Sequence, residues 1–172
     1  MRLQGLEIQA FRIFRQKVVI DFGGESLVLL YGANSNGKTS IAEAIEFVFT
    51  GDISRRKVYA ASQRDFRDTL RNVSASQALT TEVALTLTND AGVEATVRRI
   101  MTRDCTASSG PASILYLKDK QIKDWNYPTH SPSFLFQHTL RQIATLPPKE
   151  RVLHFKQLLV LCQDLSKLNR DR

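Results

Sequence analysis

Hydrophobic and polar positions change rhythm several times along the chain. Residues 2–10 alternate, with Leu3, Leu6 and Ile8 interleaved among polar neighbours, the pattern of a half-buried strand. Val18, Val19 and Ile20 predict a second strand, punctuated by Gly23 and Gly24. Residues 27–31, LVLLY, form a short continuous apolar run, which predicts a strand buried on both faces. After the polar stretch GANSNGKT the rhythm becomes helical. Ile41, Ile45 and Val48 share one stripe, Glu43 and Glu46 fall off it, and Gly51 is a natural stop. Residues 52–78 are polar and basic, with a short helix predicted near 63–72. EVALTLT, NDAG and VEATVRRI then read as strand, turn and strand over 81–101.

Residues 104–111 read as a loop, 114–117 as a short strand and 128–132 as a proline-marked break. FLFQ at 134–137 predicts a strand and 138–145 a helix, which Pro147 and Pro148 end. KERVLHFKQLLVL begins a long helix. Its Leu158, Leu161, Leu165 and Leu168 are spaced three, four and three apart, the start of a heptad seam. The seam is shorter than the roughly three or four heptads that define a coiled coil on pattern alone. A long helix that stops at Arg172 reads as a cut chain.

Composition narrows the function classes. The 172 residues are 42% hydrophobic and 24% charged, ordinary values for a globular protein with one real core. No apolar run approaches the roughly 20 residues that cross a bilayer, and the N-terminus has no secretory pattern. No membrane association is expected, and a cytoplasmic location follows by default. Cys105 and Cys162 are far apart and make neither a disulfide framework nor a metal-ligand pattern. The net charge of +7 favours polyanionic partners, namely nucleotides, nucleic acid or acidic proteins.

The stretch GANSNGKT carries the chemistry. It fits Gly-x-x-x-x-Gly-Lys-Thr at Gly32, Gly37, Lys38 and Thr39, between an expected buried strand and an amphipathic helix, the setting of a P-loop. Phosphate oxygens need several N–H donors converging on one point, and a tight loop entering a helix N-terminus supplies them. The amides of Asn34, Ser35, Asn36, Gly37, Lys38 and Thr39, with Ser40, form the expected cradle. Gly37 allows close approach, Lys38 reaches the β- and γ-phosphates, and the Thr39 hydroxyl holds Mg2+. Many such loops carry glycine at the position of Ser35; a positive φ there would cost a serine about 1–2 kcal/mol. The bland alternative is a surface turn leading into a capped helix.

AFRIFRQKVVIDF at 10–22, LVLLYGANSNGKTSIAEAI at 27–45 and FLFQHTLRQIATLPPKERVLHFKQLLVL at 134–161 together resemble a known arrangement. They are similar to the N-terminal half of the ABC-type ATPase head of the structural-maintenance-of-chromosomes group, its double-strand-break-repair relatives and RecF-like proteins. The resemblance covers most of the chain, with 52–133 aligned only loosely. It implies an α/β fold: a P-loop NTPase of ABC-ATPase head type, with an N-terminal lobe carrying an antiparallel β-subdomain (residues 1–150) and the start of a coiled-coil helix (151–172). It implies ATP and Mg2+ as ligands. Gln137, ending the Q-loop strand, would contact Mg2+ and orient the attacking water, since its amide both donates and accepts. Arg12 would reach the nucleotide phosphates. The alternatives are a helix-capping glutamine and a solvated surface arginine. His138 departs from the glycine frequent in relatives.

The resemblance also says what to look for elsewhere. A Ser-Gly-Gly signature and an apolar strand ending in an acidic pair are not in the chain. It is therefore expected to bind ATP without efficient turnover unless completed by the C-terminal half of its head. Two complete heads, as a head-to-head homodimer, would sandwich two ATP molecules. DNA would be held through phosphates by basic clusters: Arg55, Arg56 and Lys57; Arg64, Arg67 and Arg71; Arg98, Arg99 and Arg103. The alternative is a solvated, salt-bridged face. Trp125 and Tyr127 are read as loop packing rather than base stacking. Chromosome organisation, break repair and anti-phage or anti-plasmid defence all use such heads, the last two with a nuclease subunit, and a bacterial member would be nucleoid-associated. Other readings are the ATPase half of an overcoming-lysogenization-type nuclease, an ATP-switched module without turnover, and a small-molecule P-loop kinase.

Overall fold

A computed structural model of the chain describes residues 2–53, 69–105, 110–123, 147–149 and 152. Two compact units, Met1–Tyr127 and Pro128–Arg172, divide it. In the first unit the strands are β1 (Arg2–Gln9), β2 (Val18–Asp21), β3 (Glu82–Thr88), β4 (Glu94–Arg103), β5 (Ala112–Leu117) and β6 (Lys120–Ile122), with one helix, α1 (Lys38–Thr50). The strands form one antiparallel sheet in the order β2-β1-β3-β4-β5-β6. Among the described residues of the second unit, Pro148, Lys149 and Val152 are helical, where the exit helix was expected to begin. No helix among the described residues is long and apolar enough to cross a membrane.

Two-residue alternation decides which face of the sheet is buried. Leu6 and Ile8 of β1 stand opposite Leu85 and Val83 of β3, and Leu85 stands opposite Val97 of β4. These residues join Phe11, Phe47, Val48, Ile53, Leu70 and Leu115 in one core beneath α1. At about 25 cal/mol per Å2 of apolar surface, each fully buried side chain of this size contributes roughly 1.5–3 kcal/mol. Phe11 and Phe47, with ring centroids 5.4 Å apart, join the helix to the end of β1.

The NDAG turn forms as expected. Asn89 Oδ1 accepts from the amides of Ala91 and Val93, and Gly92 supplies a φ of +76°. The sheet's last hairpin was not foreseen. Lys118 and Asp119 link β5 to β6 with φ values of +46° and +62°, the left-handed pair that a two-residue hairpin loop requires. Asn-Gly is the usual signal for such a loop, and this chain lacks it there.

Three other expectations need correction. Residues 27–31 are not a buried strand: they are irregular, with Leu27, Leu29 and Tyr31 at 86%, 80% and 89% exposure, and no described strand pairs with them. The helix expected near 63–72 is absent from its described part. Arg71 instead bridges Phe11, and its guanidinium donates to the carbonyls of Leu79 and Ser76 and to Thr81 Oγ1. Glu43 and Glu46 are buried although they lie off the apolar stripe, while Ile41 and Ile45 are only half-buried. The strand expected at 134–137 and the helix at 138–145 lie outside the described residues, as do the leucines of the heptad seam.

Candidate nucleotide site at the start of α1

The polypeptide enters α1 through three left-handed or glycine-type turns, at Gly32 (φ +148°), Ser35 (φ +68°) and Gly37 (φ +85°). Ser35 thus adopts the strained conformation that its sequence position raised. Gly37 is required twice over. Its φ suits glycine, and an added Cβ would lie 2.5 Å from Ile13 Cδ1 and 3.2 Å from Phe14 Cζ. The turn at 11–14 therefore packs directly against the base of the loop. That turn is closed by reciprocal backbone bonds between Phe11 and Phe14.

The first turn of α1 has no side-chain cap and no acidic residue. A helix start leaves about four N–H groups without intrahelical partners and carries a partial positive charge. The surface-turn alternative pictured a capped helix, whereas this start makes no side-chain cap hydrogen bond. Lys38 bends back over the loop, its Nζ donating to the carbonyls of Gly32 (2.8 Å) and Ala33 (2.6 Å). Asn34, Ser35, Asn36 and Thr39 are exposed at the same mouth, and Ser40 is buried beneath it. An uncapped helix start, the Lys38 ammonium and the exposed Thr39 thus lie within a few consecutive residues. This donor set fits a polyphosphate and its divalent cation.

Arg12 lies beside α1. Its Nε donates to Glu43 Oε2 at 2.9 Å, with 16% and 1% of the two side chains exposed. Gln137 and His138 lie outside the described residues, and so do Arg55, Arg56, Lys57, Arg64, Arg67, Trp125 and Tyr127.

The basic residues that are described do not form the expected surface clusters. Arg99 is buried under the sheet face, where Nε donates to the carbonyl of Val48 at 2.7 Å and Nη1 to Ser113 Oγ at 3.0 Å. Burial pushes its guanidinium down to about 10. Arg98 points to the other face, near Glu82 and Asp119 and over the Tyr116 ring. Arg103 is exposed. Alternation along β4 already separates Arg98 from Arg99, a signal that grouping them by sequence proximity overlooked. Arg71, as described above, is committed to the 72–81 segment.

A family model described as the AAA domain matches residues 5–161, nearly the whole chain. The chain belongs to that family. It is an α/β P-loop ATPase domain. It is also similar to the SMC head domain from Thermotoga maritima, with 22% identity and a TM-score of 0.44 over 72% of this chain. The chain spans 39% of the length of that structure. No curated protein matches it.

Proposed function

We propose that the chain is the ATP-binding half of a DNA-associated coiled-coil ATPase head. Residues 1–150 form its N-terminal lobe and 151–172 begin the coiled coil. The observation that carries this reading is the uncapped start of α1, with Lys38 folded over the loop that precedes it. On nucleotide binding, Lys38 exchanges two loop carbonyls for β- and γ-phosphate oxygens. The amides of Asn34, Ser35, Asn36, Gly37, Lys38 and Thr39, together with Ser40, hold the remaining oxygens. Gly32 sets the entry of the loop, and Arg12 contacts phosphate from the side of α1. The Thr39 hydroxyl and Gln137 are the ligands this chain offers to Mg2+, which neutralises phosphate charge when bound. Gln137 also orients the water.

The exposed apolar run at 27–31, immediately before the P-loop, supports an incomplete head. Its C-terminal half, carrying signature and Walker B, covers this run and supplies the carboxylate needed for hydrolysis. Two completed heads close on two ATP molecules, and hydrolysis releases them. The net charge of +7 favours DNA held by phosphate contacts without sequence preference. Break repair, chromosome organisation and anti-phage or anti-plasmid defence are the settings, with a nuclease subunit in the first and last.

Calorimetric titration of the chain with MgATP tests the reading. Lys38→Ala removes a cation from the loop and weakens binding by about 100-fold, the size of lost charge-assisted contacts to both the β- and γ-phosphates, with an unchanged circular-dichroism spectrum. Equal affinity in the variant overturns the P-loop assignment.

A further inference from the structure

Glu43 has no part in the nucleotide contacts above, yet it is the most deeply buried carboxylate described on α1. It lies on α1 one turn beyond Thr39, and its Oε2 accepts from Arg12 Nε at 2.9 Å. A surface ion pair has no need of such burial.

Arg12 is fixed by more than this carboxylate. Its φ is +50°, a left-handed value that an arginine rarely adopts. Its amide donates to the carbonyl of Leu70 at 2.7 Å, and its carbonyl accepts from Asn72 Nδ2 at 2.7 Å. Ala10, also left-handed at +49°, accepts from the Asn72 amide at 2.9 Å and from Thr81 Oγ1 at 3.1 Å. The next two residues, Ile13 and Phe14, are those that abut Gly37. One bend therefore carries Arg12, touches the last loop residue and is clamped to the 69–81 segment. Strain held this firmly occurs where a side chain has to be delivered in one orientation. Arginine contacts phosphate through a planar fork, so fixing Nε fixes the plane in which its terminal nitrogens point; Nη1 makes a long contact of 3.5 Å with the Thr69 carbonyl, which a phosphate would replace.

We propose that Glu43 is a positioning residue for the nucleotide: by holding Nε it sets the guanidinium plane of Arg12 toward the triphosphate at the P-loop. This rests on the nucleotide reading of the site and on Arg12 as a phosphate contact. Glu43 itself touches no nucleotide.

The test is a double-variant cycle in the full chain, with Glu43→Gln, Arg12→Gln and both together. Glu43→Gln keeps the side-chain shape, Arg12→Gln keeps a polar group while removing the charge and the fork, and circular dichroism reports the fold. The readout is MgATP and MgADP affinity by calorimetry. A lost charge-assisted phosphate contact predicts about tenfold weaker MgATP binding for Arg12→Gln and about fivefold for Glu43→Gln. The double variant should match Arg12→Gln alone, because Glu43 acts only through Arg12. MgADP affinity should change less in each case, because the proposal has Arg12 contact the γ-phosphate. A purely structural Glu43 weakens both nucleotides alike, and its effect multiplies with that of Arg12→Gln; either result overturns the proposal. So does unchanged MgATP affinity in Arg12→Gln or in Glu43→Gln. Lys38→Ala separates the two failures: if it too leaves MgATP affinity unchanged, the nucleotide reading has failed rather than the positioning role.

Discussion

The two ends of α1 are finished in opposite ways. At the C-terminal end, Gly51 takes a left-handed conformation (φ +78°) and its amide donates to the carbonyl of Phe47 at 2.8 Å. Arg99 donates to the carbonyls of Val48 and Phe49, so the negative pole of the helix meets a buried cation. At the N-terminal end the first turn has neither a side-chain cap nor an acidic residue, and it opens with Lys38, a cation at the positive pole. A helix stabilised only for folding would reverse that choice, since caps and acids at the N-terminus stabilise by about 0.5–2 kcal/mol. The difference teaches that the protein completes one end itself and leaves the other without a side-chain cap, the end that the proposed function assigns to an anion.

Substitutions at either end sharpen this contrast. The largest effect is expected from Gly37→Ala. The new Cβ would meet Ile13 and Phe14 and would hold an unfavourable φ, so urea unfolding should show a loss of about 3 kcal/mol. Arg99→Met comes next, at about 2 kcal/mol, because the last carbonyls of α1 lose their donors inside the core. MgATP affinity should stay within about twofold in this variant, since the open end is untouched. A large loss of affinity would mean that the two ends are not independent. The smallest effect is a gain. Ser35→Gly relieves the positive φ at that position and should stabilise the chain by about 1 kcal/mol in the same unfolding measurement.

Much of the fold was legible because the local signals are strong. The alternation of β1, the NDAG hairpin, the β5 run and the Gly51 stop all appear where their patterns place them. The P-loop was legible because its residue types are dictated by phosphate chemistry at close range. What was missed depends on distant partners. The run at 27–31 reads as a strand on composition, but strand formation needs neighbours, and none of the described strands pairs with it. Glu43 fell off the apolar stripe, and nothing local foretold its burial, because the arginine that accompanies it inside lies 31 positions earlier. Arg71 looked like a member of a basic helix face because the 72–81 segment it organises carries no pattern of its own. Lys118 and Asp119 make a tight hairpin turn without the glycine that normally announces one.

The most direct measurement is a two-dimensional amide NMR titration of the chain with MgATP. The account predicts large shifts at residues 34–40 and small ones at Gly51, Asp52 and Ile53, beyond the closed end of α1. Shifts absent from 34–40, or no larger there than at 51–53, would contradict the claim that the start of α1 is built for a nucleotide.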